Sequence, residues 1–174
     1  MSEKVKKEHT EGMEERDSLK KIMFVCMGNI CRSPLAEGVF RHQAREAGLL
    51  DQFEIASSGT GGWHVGNKPD RRMNAVAVKN GVSMEGQHAQ QFEYSDLEYY
   101  DLILAMVKNN MAHIKSMDGG GRHTDKIKLF RSFDPEPGTM EVPDPYYGGP
   151  RGFDDVYEMV DRTSKELLDH LTSS

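Results

Sequence analysis

The sequence predicts an open α/β sheet within a single domain, and three observations carry that prediction. Segments of strand length recur at 22–25, 52–57, 101–106 and 126–130. Stretches with helical spacing of apolar residues lie between and after them, an order that favours right-handed crossovers and parallel pairing. The 174 residues suffice for one core of ordinary size, and neither an internal repeat nor a linker divides them.

Taken in order, residues 1–18 carry six acids against four bases and almost no apolar side chain. Such a stretch cannot bury enough surface to offset its ordering entropy, so a disordered extension is expected there, with the domain proper at 19–174. The run 22–25 reads as a buried strand that stops at Cys26 and opens into a loop containing Gly28 and Asn29. Ser33-Pro34 predicts a helix start, with Ser33 as cap and Pro34 at the first helical position. Leu35, Val39, Phe40 and Ala44 supply the stripe of a helix over 34–48, which Gly48 would stop. The segment QFEIAS reads as the second strand, and a glycine-rich loop covers 58–70. Pro69-Asp70 leads into a helix at 71–80 that Gly81 closes. Residues 82–95 show no clean period and are expected as loop with short turns. DLILAM at 101–106 is continuously apolar, as suits a strand covered on both faces. A helix over 109–117, a turn at 119–121 and a strand at 126–130 follow. The loop 131–149 holds four of the seven prolines, and loops this long inside a compact domain are usually functional. From Phe153 onward, Val156, Tyr157, Val160, Leu167, Leu168 and Leu171 recur at helical spacing.

Composition excludes some classes. A net charge of −6, from 28 acids and 22 bases, argues against a nucleic-acid or membrane surface. No apolar run reaches the roughly 20 residues of a membrane span, and no secretory h-region opens the chain. Two cysteines without an export signal read as thiols in a reducing cytoplasm.

The loop 26–34 concentrates the chemistry. A strand end, a tight loop and a helix N-terminus turn several N–H groups into one concavity, backed by the positive end of the helix dipole. Arg32 adds a planar fork suited to two oxygens of a phosphate. Cys26 sits at the mouth, where that field favours a thiolate nucleophile. Met27, Gly28, Asn29, Ile30 and Cys31 complete the cradle around a phosphate or other oxyanion. Ser33 is spaced to donate its hydroxyl to the Cys26 sulfur and, compatibly, to cap the helix. Asn29 tolerates left-handed backbone angles. Cys31 reads as a small buried apolar residue or as a thiol that traps oxidised Cys26. Cys-x4-Cys lacks two further ligands for zinc, and it is not the Cys-x-x-Cys of a thioredoxin-like centre.

An acid for the leaving group must come from elsewhere, and V-P-D-P-Y-Y-G-G around Asp144 is the best candidate. Its prolines stiffen the backbone about the carboxyl, although an Asp between prolines is also a common turn former. Tyr146, Tyr147 and Trp63 would wall a slot for a flat ring, or Trp63 would only anchor its loop. Lys68, Arg71 and Arg72 would make the rim positive, or form a solvated helix face. Asp134-Pro135 looks similar to the acid segment but lacks the tyrosines.

These residues resemble a family. Cys26, five intervening residues, Arg32 and Ser33 match the loop of cysteine-dependent phosphatases, and V-C-M-G-N-I-C-R-S-P is similar to the low-molecular-weight protein tyrosine phosphatases. Trp63-His64-Val65-Gly66, Asp70-x-Arg72 and Asp144-Pro-Tyr146 extend the likeness over about 20–170. The resemblance implies a four-stranded parallel sheet flanked by helices. It also implies hydrolysis of phosphotyrosine in proteins, and of small aryl phosphates, through a phosphocysteine formed on Cys26. Asp144 would be the acid and then the base, Asn29 would fasten the loop, and Cys31 would be a reversible disulfide partner. Neither metal nor organic cofactor is implied. Phosphotyrosine proteins are the expected partners, with a cognate tyrosine kinase as a further candidate. Two departures put a supporting hydrogen-bond network in question: Val107 stands where relatives often have Asp, and Gln87-His88-Ala89-Gln90-Gln91 replaces His-x-Ala-Arg-Gln. Arsenate reduction would need a third cysteine, phosphoarginine hydrolysis favours Thr where Ile30 stands, and a mere phosphate-binding module would not need Cys26, Arg32 and Asp144 together.

Overall fold

Alternation along one strand decides the centre of the molecule. In the computed structural model, which describes residues 19–173, β1 (Lys20–Cys26) sends Ile22, Phe24 and Cys26 into one apolar cluster and Met23 and Val25 into another. Both faces are covered, which is why the run is continuously apolar in sequence. β1 pairs in parallel with β2 (Phe53–Gly59) and with β3 (Leu102–Ala105), and β3 pairs in parallel with β4 (Ile127–Leu129). The order β2-β1-β3-β4 gives the four-stranded parallel sheet that the sequence and its resemblance predict. The extension expected over 1–18 lies outside the described residues.

Among the described residues five helices flank the sheet: α1 (Arg32–Glu46), α2 (Arg71–Lys79), α3 (Tyr94–Tyr99), α4 (Lys108–Met117) and α5 (Gly152–Thr172). Leu35, Val39 and Phe40 of α1, Met73 and Ala77 of α2, and Val156, Val160 and Leu167 of α5 cover the Ile22 face. Leu97 of α3 and Ile114 of α4 cover the other. Phe24 anchors the first cluster, meeting Phe130 edge-on at 5.6 Å between centroids and Phe40 at 6.0 Å. Truncating a ring so enclosed costs about 3–5 kcal/mol. No helix among the described residues is long and apolar enough to cross a membrane.

The structure corrects the sequence reading in two places. Ser33 does not cap α1: the cap position is Cys31, with no side-chain bond, and Ser33 and Pro34 lie within the first turn. Pro34 is tolerated there because N–H groups of the first turn have no helical partner, and the Ser33 hydroxyl is left to serve the Cys26 sulfur. In the segment expected as loop, Glu93 and Asp96 close a capping box that starts α3. That helix is six residues long and fully buries only Leu97, too little to write a period into the sequence. Gly48, at φ 72°, follows the end of α1 as expected of a left-handed terminator.

β2 and β3 lie on opposite sides of β1, so the strand order reverses there. The C-terminal end of β1 is where an open α/β sheet leaves a crevice. Cys26 is its last residue.

Candidate active site

Every turn of the loop after β1 is tied. Asn29 adopts φ 57°, the left-handed conformation that Asn accepts more readily than most residues. The turn aims its N–H at Cys26 Sγ, at 3.3 Å. Its side chain donates from Nδ2 to Ser33 Oγ (2.8 Å) and Ser57 Oγ (3.0 Å), while Oδ1 accepts the Gln90 N–H at 2.9 Å. Ser33 Oγ in turn lies 2.9 Å from Cys26 Sγ. Ser57 donates to Glu37 Oε1 (2.9 Å), and Arg41 completes the pairing at Glu37 Oε2 (2.7 Å). Behind the loop, Thr60 and Gly61 donate to the Cys26 and Met27 carbonyls. A Cβ on Gly59 would come within 2.6 Å of Met27 O, so only glycine lets the end of β2 approach this closely.

Above the sulfur lies a cavity of about 220 Å³. Cys26, Met27, Gly28, Ile30, Cys31, Arg32, His64, Asp144 and Tyr146 line it. Asn29 and Ser33 are buried behind that lining. Arg32 is 9% exposed and donates from Nη1 to Val142 O at 3.1 Å, tying the loop to the segment that carries Asp144. Asp144 Oδ1 accepts the Tyr146 N–H at 3.0 Å, which starts the short 3-10 turn Pro145–Tyr147. Asp144 thus forms the turn, as its turn-former alternative expects, and also lines the cavity, where the acid alternative needs it. Tyr146 stands upright because its hydroxyl donates to Asp70 Oδ2 (2.6 Å) and the Arg72 guanidinium lies 4.3 Å from its ring. That hydrogen bond is the main reason the phenol is pushed up to about 12. Burial favours protonation of Asp70, but the Tyr146 hydroxyl and the Met73 and Arg72 amides outweigh it and hold the carboxyl low.

The structure does not bring two of the expected walls into the cavity. Trp63 is 73% exposed and Tyr147 89% exposed. Trp63 folds over Gly61 of its own loop and, so exposed, neither walls the cavity nor anchors the loop to the domain; it is His64 that faces the Cys26 loop. A Cβ on Gly28 would sit 3.0 Å from His64 Cδ2, so Gly28 makes room for the ring. The W-H-V-G string carried this residue, but ring size favoured its neighbour. A larger hollow, about 770 Å³, lies between α2 and the 81–88 turn, yet it contains no cysteine.

The family described as low molecular weight phosphotyrosine protein phosphatase matches residues 21–174. The chain belongs to this family. A low molecular weight protein-tyrosine-phosphatase of Streptomyces coelicolor is 42% identical over 150 residues, which cover 85% of this chain and 91% of that one. The crystal structure of YfkJ from Bacillus subtilis superposes with a TM-score of 0.83 at 36% identity, covering 88% of this chain and 95% of that one. A protein tyrosine phosphatase of Entamoeba histolytica, crystallised with Hepes in the active site, gives 0.82 at 33% identity over 87% and 96% of the two chains.

In this phosphatase the two departures are bridged differently. Gln90 uses its backbone N–H for Asn29 and its Nε2 for Ser57 O (2.9 Å), while Gln87 donates to Pro34 O (3.0 Å). Val107 cannot cap α4, and Glu141 does so from a distance, its Oε2 accepting the Lys108 N–H at 2.7 Å. Cys31 is a free, buried thiol, pushed up to about 12 by burial and then by the charges of Asp70 and Cys26.

Proposed function

We propose that the phosphatase hydrolyses phosphotyrosine in proteins, and small aryl phosphates, by nucleophilic catalysis at Cys26. The observation that carries this reading is a sulfur at the floor of a small cavity whose walls include both Arg32 and Asp144. Cys26 attacks phosphorus while the bond to the aryl oxygen breaks and Asp144 gives that oxygen its proton. Arg32 and the N–H groups of the loop hold the three equatorial oxygens as their charge grows. Asp144 then takes a proton from water, which attacks the phosphocysteine and expels the sulfur. Ser33 Oγ at 2.9 Å and the Asn29 N–H at 3.3 Å support the sulfur as it leaves with the electron pair.

The substrate enters phosphate-first, its ring lying between His64 and Tyr146, and a phosphoserine is too short to reach the floor. The Hepes held by the Entamoeba relative supports an oxyanion in the equivalent place. The setting in this reading is the cytoplasm, where Cys26 stays reduced, with a tyrosine kinase supplying the substrates. Phosphate release from matched phosphotyrosine, phosphoserine and phosphoarginine peptides tests it, using wild type and Cys26→Ser. Release from phosphotyrosine alone, lost in Cys26→Ser, is expected. A phosphoarginine preference would keep the mechanism and change the substrate, and no release from any peptide would leave an oxyanion-binding module.

A further inference from the structure

Asp134, which looks like the acid in sequence, takes no part in lining the cavity and is buried in an ion cluster. Its carboxylate accepts from Arg162 Nε (2.8 Å) and Nη2 (3.1 Å), from Arg131 Nε (3.0 Å) and from the Glu136 N–H (2.8 Å). Burial disfavours the anion, but the Arg162, Glu136 and Arg131 hydrogen bonds outweigh that and hold the carboxyl at about 2. Arg131, itself 5% exposed, spends its other two nitrogens on the loop ahead. Nη2 donates to Glu136 O at 2.8 Å and Nη1 to Glu141 O at 2.7 Å, so one rigid fork fixes both limbs of the loop.

Beyond Glu141 the ties continue toward the cavity. The Val142 N–H donates to Met106 O (2.9 Å), and Val142 O accepts from Arg32 (3.1 Å). Asp144 follows two residues later. Met140, just before, is held at φ 64°, a left-handed conformation that a side chain adopts only where its surroundings insist. A buried ion cluster is weak evidence of stabilisation, because apolar residues often serve as well. This one is oriented: its guanidinium points at the carbonyls that set the course of the acid segment.

We propose that Arg131, seated on Asp134 and Arg162, is a positioning residue for Asp144 that fixes the approach of the acid to the leaving oxygen. The inference rests on Asp144 as general acid.

Arg131→Lys keeps a charge beside Asp134 but loses the fork to Glu136 and Glu141. The measurement is kcat/KM for phenyl phosphate and for p-nitrophenyl phosphate, in Arg131→Lys, in Asp144→Asn and in the double variant, with vanadate inhibition alongside. Misplacing an acid hurts most where the leaving group needs its proton, so Arg131→Lys is expected to lose about 10-fold on phenyl phosphate and about twofold on p-nitrophenyl phosphate. Vanadate inhibition should not change, since the cradle is intact, and on the Asp144→Asn background Arg131→Lys should add nothing. Equal losses on both substrates, or a full additional loss on that background, would reduce Arg131 to a structural role. An Asp144→Asn enzyme without leaving-group discrimination would instead refute the acid reading itself. If Arg131→Lys does not fold, Arg162→Gln, at a side chain 34% exposed, gives the same readout and is expected to show the same pattern at smaller amplitude; its absence overturns the proposal.

Discussion

The loop after β1 and the segment before α5 approach one cavity, and they are held in different ways. The first is stitched to itself: Asn29, Ser33 and Cys26 hydrogen-bond one another within eight residues, and β2 braces them through Ser57 and Gly59. The second is held from outside, by Arg32, Arg131, the backbone of Met106 and the hydroxyl of Tyr146 on Asp70. In the proposed mechanism, attack on phosphorus tolerates little displacement of the Cys26 sulfur or of Arg32, and both lie on one short piece of chain. Asp144, as the proposed acid, would follow a leaving oxygen whose position varies with the substrate, and a separate segment suits that task. On the proposed roles, nucleophile and clamp should fail together, whereas the acid can be lost or misplaced alone.

Cys26→Ser should break the stitched side most deeply. Turnover is expected to fall on the order of 10⁴-fold or more while phosphate still binds, as steady-state rates and a phosphate-protection assay would report. Asp144→Asn should lower kcat/KM on phenyl phosphate about 10²–10³-fold and less on p-nitrophenyl phosphate. A uniform loss over a leaving-group series would mean that the two sides are not separable. Gly59→Ala forces a methyl group against Met27 O; a loss of about 1–3 kcal/mol is expected in thermal unfolding, with all substrates slowed alike. Tyr146→Phe removes only the hydroxyl on Asp70, and a change of about two- to threefold in KM is expected, with stability altered by less than about 1 kcal/mol.

The outside supports also have a pH signature. Asp134 titrates near 2 in the folded chain, against about 3.9 when unfolded, so its stabilising contribution is complete above the unfolded value and disappears as pH falls through the folded one. The stability gap between wild type and Asp134→Asn should be constant above about pH 5 and close between about pH 4 and pH 2. Urea unfolding across that range measures it.

The same contrast explains what could be read from the chain alone. Cys26, Asn29, Arg32 and Ser33 are close in sequence because they are close in space, and spacing alone suggested a phosphate cradle. The strands were legible where both faces are buried, as at β1 and β3. His64 was not, because which ring of a loop turns inward depends on Gly28 and Gly61, and hydrophobicity pointed at Trp63. The partnership of Asp134 with Arg162, 28 residues away, exists only once α5 packs against the 3-10 turn at 130–133. Asp134-Pro135 therefore looked like a failed copy of the acid motif.

The most direct test of the account is to quench the enzyme during turnover of a phosphotyrosine peptide and map the protein-bound phosphate by mass spectrometry. The account predicts phosphate on Cys26, accumulating before free phosphate appears and missing from Cys26→Ser. Turnover of phosphotyrosine with no phosphoenzyme, or with the phosphate on any other residue, would contradict it.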